Sequence, residues 1–468
     1  MFRNIFNFQT RNITSAAFIL GITAFFSALL GLFRDRLLAG KFGAGDELDI
    51  YYAAFRIPDF VAMVLIMGAI GAAVVPIFSE YLVKNREEAF KYLSNLLNLF
   101  LISLILVCGI LSIFAPYLIS LITPGFFAEK KELTVLLTRI MFLSPILLGI
   151  SNLISGILRV FRRFLVTSLS PILYNVGIIS GILFFVPLMG LKGLAWGVVF
   201  GGFLHLLIQL PPLFKLQFRP EKTLNFNHPS LLKTLKLILP RSLGLAAAQI
   251  NLIVVTALGS TLATGSLAVF YLADSLSRPL LTFIAVSFSM AAFPMMSLAF
   301  SIKNKEKFVN IFSSTYNKIL FLIVPLSILL FLLRELVVKI ILKVGKFGLV
   351  DVHLTAACLG MFCLGIFAQS LVVFIANGFY ALQNTKIPAL ASLAGMIINI
   401  GFCLLFINLL SFPSAFQQFL INFLNIPGLK NIEIIGLPLA LSVSAIFQFI
   451  ILFLLFRQKV KQISFKEG

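Results

Sequence analysis

Arg34, Asp35, Arg36, Arg56, Asp59, Asp274 and Arg278 all fall within long apolar runs of the sequence. A charge in such a place is costly unless it is paired or hydrated, so these are the residues where chemistry is sought first. A guanidinium presents a planar fork of N–H donors that matches phosphate oxygens, and a neighbouring carboxylate can orient that fork. Four of these residues are basic and three acidic, so a cavity that gathered them is mildly cationic and suited to an anion. The plainer alternative is that Arg34 with Asp35, and Arg56 with Asp59, merely pair and lock the first two helices together. The other embedded charges are read structurally. Arg334, Glu335 and Lys339 form a cluster that snorkels to the outer surface, and Arg139 and Arg241 lie near helix starts.

Catalytic chemistry finds no such foothold. His205, His228 and His353 are scattered, and the sequence contains no H-E-x-x-H, Walker A or G-x-S-x-G pattern. Cys108, Cys358, Cys363 and Cys403 lie in apolar runs without C-x-x-C spacing and read as buried thiols. Neither catalytic residues, a metal site nor a cofactor is expected.

The elements that position the charges are membrane helices. The chain of 468 residues is 60% hydrophobic, has a mean hydropathy of +1.06 and is only 12% charged, against roughly 25% for a soluble domain. Apolar runs of membrane-spanning length number about twelve, starting near 12–39 and 50–82 and ending near 434–456. The first run is too long for a signal peptide and has no cleavage pattern, so the N-terminus is expected to be retained.

The net charge of +20 reports topology and anionic lipid rather than nucleic acid. More than half of the 37 basic residues lie in alternate segments, from Arg3 and Arg11 through Arg159, Arg162 and Arg163 to Lys303, Lys305, Lys307 and Lys318 and the C-terminal tail. The positive-inside rule therefore puts both termini in the cytoplasm of a multi-pass protein of the inner membrane.

An internal repeat organises the spans. The text AGDELDIYYAAFRIPDF from residue 44 parallels TGSLAVFYLADSLSRPLL from residue 264. Each has a small-residue turn, an aromatic pair, an Arg shortly before a Pro (Pro58, Pro279), and a later Pro after an Ala pair. The expected plan is a cytoplasmic N-terminus at 1–11, a six-helix half at 12–216, a cytoplasmic linker at 217–232, a second six-helix half at 233–456 and a basic tail at 457–468. Within the second half, 412–432 is an amphipathic, interfacial segment on the outer face. Paired repeats in transporters place substrate near the midplane and work by rocking, for which bends at Pro58 and Pro279 are suited.

The stretches LLGLFRDRLLAGKFGAGDELDIYYAAFRIPDF, QINLIVVTALGS, YLADSLSRP and NGFYALQNTKIP together resemble the MurJ/MviN lipid II flippase family, within the multidrug/oligosaccharidyl-lipid/polysaccharide exporter superfamily. The resemblance covers nearly the whole chain. It implies an all-α, V-shaped, alternating-access transporter that carries the undecaprenyl-pyrophosphate-linked peptidoglycan precursor to the outer leaflet, the pyrophosphate held in a cationic cavity. On this reading Arg34, Asp35 and Asp274 fall on the family's cavity positions and Asp49 on its acid after the first loop. Arg56, Asp59 and Arg278 are added as substrate-binding candidates; Asp49, Pro58 and Pro279 are gating or structural ones.

The departures matter too. Ala28, Ala62 and Ser275 stand where the family carries Arg. The sodium site of some relatives is reduced to Asn399, with Val255 and Cys403 in place of acids, so coupling is open between sodium, a proton and the membrane potential. The family typically has two further C-terminal helices beyond the twelve spans expected here, so the lipid-tail groove is expected to be reduced or built differently.

The expected partners are lipid II or a related polyprenyl-pyrophosphate glycolipid and the surrounding lipids, with a monomeric carrier that contacts cell-wall synthesis proteins. Rival readings are an exporter of another polyprenyl-linked oligosaccharide, such as an O-antigen unit, and a non-transporting scaffold for cell-wall enzymes. Arg56 and Arg278 lie within about one helical turn of two vacated arginine places and are expected to substitute for them. Changing either to Ala should therefore abolish rescue of a flippase-depleted cell; normal growth would refute the substitution.

Overall fold

A computed structural model of the protein describes residues 13–67, 74–225 and 229–462. The polar N-terminal head 1–11, with Arg3 and Arg11, and the last part of the basic tail, 463–468, lie outside the described residues, as does the Arg241 side chain. No described residue is in a β-strand. Nine of the described helices are long and apolar enough to cross a membrane. Helices are the natural solution because hydrocarbon offers no partner to a backbone N–H or C=O, and a helix satisfies both internally.

The chain divides into two compact units, Met1–Leu38 with Ile50–Ile253, and Ala39–Asp49 with Val254–Gly468. The first unit is built from α1 (Ile13–Phe42, through Leu38), α2 (Asp46–Val61, from Ile50), α3 (Val75–Lys84), α4 (Arg86–Ile113), α5 (Ala115–Ile122), α6 (Ala128–Met141), α7 (Leu143–Val160), α8 (Phe164–Ser180), α9 (Val186–Met189), α10 (Lys192–Leu207), α11 (Leu210–Lys215) and α12 (Pro229–Ser260, through Ile253). The second holds the remainder of α1, α2 and α12 with α13 (Ser266–Leu280), α14 (Ser287–Ser301), α15 (Lys305–Leu332), α16 (Arg334–Leu342), α17 (Leu349–Ala381), α18 (Lys386–Ser411), α19 (Ala415–Leu424) and α20 (Gly436–Gln462).

Small residues set the packing of the first unit. Glycines at 177 and 181 on α8 and its extension meet glycines at 193, 197 and 201 on α10, and a Cβ on any of them would collide with the facing backbone. This is the four-residue spacing that lets membrane helices approach closely, where dispersion rather than water exclusion drives association. Beside it, Phe78, Leu93, Ile154 and Ile157 join α3, α4 and α7 in a buried core. The segment expected as a linker is strapped along α4: Asn95 exchanges hydrogen bonds with the backbone N–H and C=O of Asn225, at 2.7 and 3.0 Å, and Asn98 donates to the carbonyls of Glu221 and Thr223.

In the second unit α17 is the central post, with nearly every face buried. Ser442 of α20 donates to the Met361 carbonyl at 2.6 Å, and Gly365 leaves the space that this contact needs. Phe312, Phe374 and Phe456 stack at 4.8 and 4.3 Å to join α15, α17 and α20. The region 412–432 contains α19, ten residues capped by the Ser414 hydroxyl and far too short to span. Arg334 donates to the Leu424 carbonyl at 2.8 Å and to Phe331, so it ties α19 to the break before α16.

Leucine at Gly181 or Gly197 should separate α8 from α10 and destabilise the protein by about 1–3 kcal/mol. Leucine at Gly109, where added carbon meets nothing within 4 Å, should leave the thermal midpoint in detergent unchanged. Equal midpoints for all three variants would refute the close-packing role.

Candidate functional site

The repeat read from the text reappears as geometry. In α2, Pro58 is followed by a π-helical stretch at Ala62–Met67, and in α13 Pro279 is followed by one at Leu281–Val286. Proline removes the N–H that would bind the carbonyl four residues earlier, and the wider turn absorbs the disturbance. For Pro58 that carbonyl belongs to Ala54, and the Thr138 hydroxyl of α6 donates to it at 3.3 Å. The aromatic pairs about two turns before each proline also correspond: Tyr51 and Tyr52 lie edge to face at 5.5 Å, Phe270 and Tyr271 at 5.1 Å.

Within the first unit a cavity of about 240 Å³ is lined by Arg34, Asp35, Arg56 and Asp59, together with Leu38, Tyr51, Tyr52, Phe55, Tyr174 and Ile178. Four of the six substrate candidates from the sequence are thus brought together. Arg36 is not part of this lining.

The arginines are held differently. Nε and one terminal nitrogen of Arg34 donate to the same Asp35 oxygen at 2.9 and 2.8 Å, and the other terminal nitrogen donates to Asn175 Oδ1 at 3.1 Å. Three of the five guanidinium donors are therefore anchored, and the rest stay available for a ligand. Asp35 is almost wholly buried. Arg56 makes one 3.4 Å contact to Asp59 and one 3.2 Å bond to the Tyr52 carbonyl. The Asp59 side chain is 40% exposed. Arg34 is thus held from two sides, by Asp35 of α1 and Asn175 of α8.

Each of these ion pairs closes within its own helix, Arg34 with Asp35 in α1 and Arg56 with Asp59 in α2. Two arginines against two aspartates also leave the lining near electrical balance, less cationic than the full set of embedded charges implied.

The remaining candidates lie in the second unit. Arg278 pairs with Asp274 one turn away, at 2.7 Å through Nε and 2.6 Å through a terminal nitrogen, with the Arg side chain 59% exposed. Asp49 is buried and caps α13: its two oxygens accept from the backbone N–H of Gly265 and of Ala268, at 2.8 and 2.9 Å. A carboxylate there satisfies free N–H groups and complements the positive helix end. Gly265 has φ +85°, and a side chain on it would strike the Ala44 carbonyl. The same unit pairs two copies of the tetrapeptide GKFG, with the Lys346 N–H donating to the Gly40 carbonyl at 2.9 Å. Asn399 is buried, with Cys403 Sγ 3.8 Å from its Oδ1. Among the described residues no group of three or more His, Cys, Asp or Glu side chains is placed to hold a metal ion.

Residues 38–467 match the family described as lipid II flippase MurJ. The chain belongs to that family. A probable lipid II flippase MurJ of Buchnera aphidicola subsp. Acyrthosiphon pisum (strain APS) is 33% identical over 380 residues, 80% of this chain and 74% of the relative. The lipid II flippase MurJ of Burkholderia cenocepacia is 28% identical over 382 residues, 80% of this chain and 74% of the relative. Among solved structures, a lipid II flippase MurJ in an inward closed conformation superposes with a TM-score of 0.78 at 25% identity, covering 94% of this chain and 87% of that one. An inward-facing multidrug resistance MATE transporter shares the fold, with a TM-score of 0.72 at 14% identity, covering 94% and 96%.

Within a MurJ-family chain, the residue that sequence reading missed is Asn175. It accepts from Arg34 and donates to the Pro171 carbonyl and to the Ser27 carbonyl and hydroxyl. Its signal was a lone amide in the apolar run ILYNVGII, four residues after Pro171. Asn175→Leu should free one Arg34 donor and strand the Ser27 and Pro171 contacts, at a cost of about 1–3 kcal/mol. Asn175→Asp should keep the Arg34 contact and most of the flipping rate. If Leu and Asp variants flip equally well, Asn175 does not position Arg34.

Proposed function

We propose that this chain is a flippase for lipid II, moving the polyprenyl-pyrophosphate-linked peptidoglycan precursor from the inner to the outer leaflet of the cytoplasmic membrane by alternating access. The observation that carries this reading is the family match over residues 38–467. It is a carrier of the secondary type, acting as a monomer with both termini in the cytoplasm. The charge distribution among loops supports that orientation.

Asp35 and Asn175 hold Arg34 in one orientation, so its remaining donors meet a pyrophosphate without first losing rotamer freedom. Arg56 gives up its 3.4 Å contact to Asp59 when the ligand arrives, and the Asp59 side chain is already partly exposed. The phosphate thus trades for the weaker pair and leaves the stronger one intact. The bends at Pro58 and Pro279, each beside an acid–base pair, are the places where α2 and α13 change shape during transport. Asp49 secures the N-terminal end of α13 while they do so.

Arg34→Lys keeps a charge but cannot bond Asp35 and Asn175 as a fork. In cells depleted of their own flippase, lipid II should become accessible to an impermeant surface probe with the wild-type chain, scarcely at all with Arg34→Lys, and to a reduced degree with Arg56→Lys. Exposure of a different polyprenyl-pyrophosphate glycan, with lipid II left inside, would overturn the assignment. Wild-type exposure by Arg34→Lys would overturn the role of Arg34.

A further inference from the structure

A second polar cavity, of about 470 Å³, lies wholly within the second unit, far along the sequence from Arg34. Met295 of α14 forms one wall, and Asn304, Lys307, Ser314, Thr315 and Lys318 line the rest along α15. Lys307, Ser314 and Lys318 fall on one stripe of the helix, because seven and eleven residues are close to two and three whole turns.

The lining is cationic and unsatisfied. Neither Lys307 nor Lys318 has an acidic partner among the described residues. The one acid in the lining, Glu306, projects about 100° around the helix from Lys307. Thr315 is nine-tenths buried, lines the cavity and has no hydrogen-bond partner among the described residues. A helical threonine ordinarily returns its hydroxyl to the preceding turn, so this one is left for something that enters the cavity.

Depth and surroundings identify the ligand class. Lys318 lies about 16 Å along α15 from Lys307, within a helix long and apolar enough to cross a membrane, where an unpaired ammonium calls for an anion. The flanking surface is apolar: Met290, Met295, Leu298 and Phe321 are all exposed. A soluble phosphate gains nothing from that surface, but a lipid covers it with its chains. Basic pockets between membrane helices on the side rich in Lys and Arg are suited to phosphate headgroups. We propose that this cleft binds the phosphate of an anionic phospholipid, with Lys307 and Lys318 as cationic contacts, Thr315 as hydroxyl donor, and the acyl chains lying over Met295, Leu298 and Phe321. This site is separate from the cavity around Arg34.

The test uses the full chain in nanodiscs of phosphatidylcholine titrated with labelled phosphatidylglycerol. The wild type should retain phosphatidylglycerol in preference to phosphatidylcholine, and each Lys→Gln change at 307 or 318 should weaken that preference about fivefold. Thr315→Val should weaken it too, and Lys305→Gln, outside the lining, should not. Because the lysines are exposed, the thermal midpoint of K307Q/K318Q should match the wild type. If it falls, K307R/K318R must restore phosphatidylglycerol retention, and failure to do so overturns the site. Wild-type retention by K307Q/K318Q overturns it as well. Displacement of the lipid by equimolar glycerol 1-phosphate would make this a soluble-anion site and refute the lipid assignment.

Discussion

Inside hydrocarbon no water completes a stray hydrogen bond, and the rest of this structure depends on that constraint. It demands helices, and it rewards a partner for each polar group the helices carry inward. Thr138 answers the carbonyl that Pro58 releases, Ser442 answers Met361, and Asn175 answers Arg34 and the carbonyl of Pro171. Glycine matters for the same reason. With little hydrophobic force between helices in lipid, close approach of α8 to α10 through small residues has to supply the attraction.

The repeated proline, acid–base pair and π-helical stretch show how a helix is bent without leaving its backbone unpaired. In α2 the bend lies beside Arg56 and Asp59, and in α13 beside Asp274 and Arg278. Ions are thereby placed where the helix is most deformable, so a ligand that draws on one of those arginines also acts on the bend. Arg34 is clamped by three hydrogen bonds, two to Asp35 and one to Asn175.

Near balance of charge around Arg34 changes the electrostatic picture. A cavity of bare arginines would bind any phosphate tightly and release it slowly, whereas paired arginines offset the desolvation that free charges would suffer. An anion entering this lining would compete with a carboxylate rather than simply neutralise a cation. Such an exchange suits a carrier, which has to let its cargo go.

By itself the sequence determined the class of the molecule, because apolar run length, the loop distribution of Lys and Arg and the paired proline motifs are each local, one-dimensional properties. Arg34, Asp35, Arg56 and Asp59 could be picked out for the same reason: a charge in an apolar run announces itself. Only the tertiary structure decided what those charges meet. Arg34 finds Asn175 across 141 positions of chain, and Asp49 closes on the start of α13 across more than two hundred, distances over which no periodicity carries information. The division of α1, α2 and α12 between the units was hidden likewise, since an apolar helix reads the same whichever unit its ends pack into. So was the unpartnered hydroxyl of Thr315: the sequence shows that a threonine is there, but whether its oxygen turns back to its own helix or out to a ligand is settled by rotamer and neighbours.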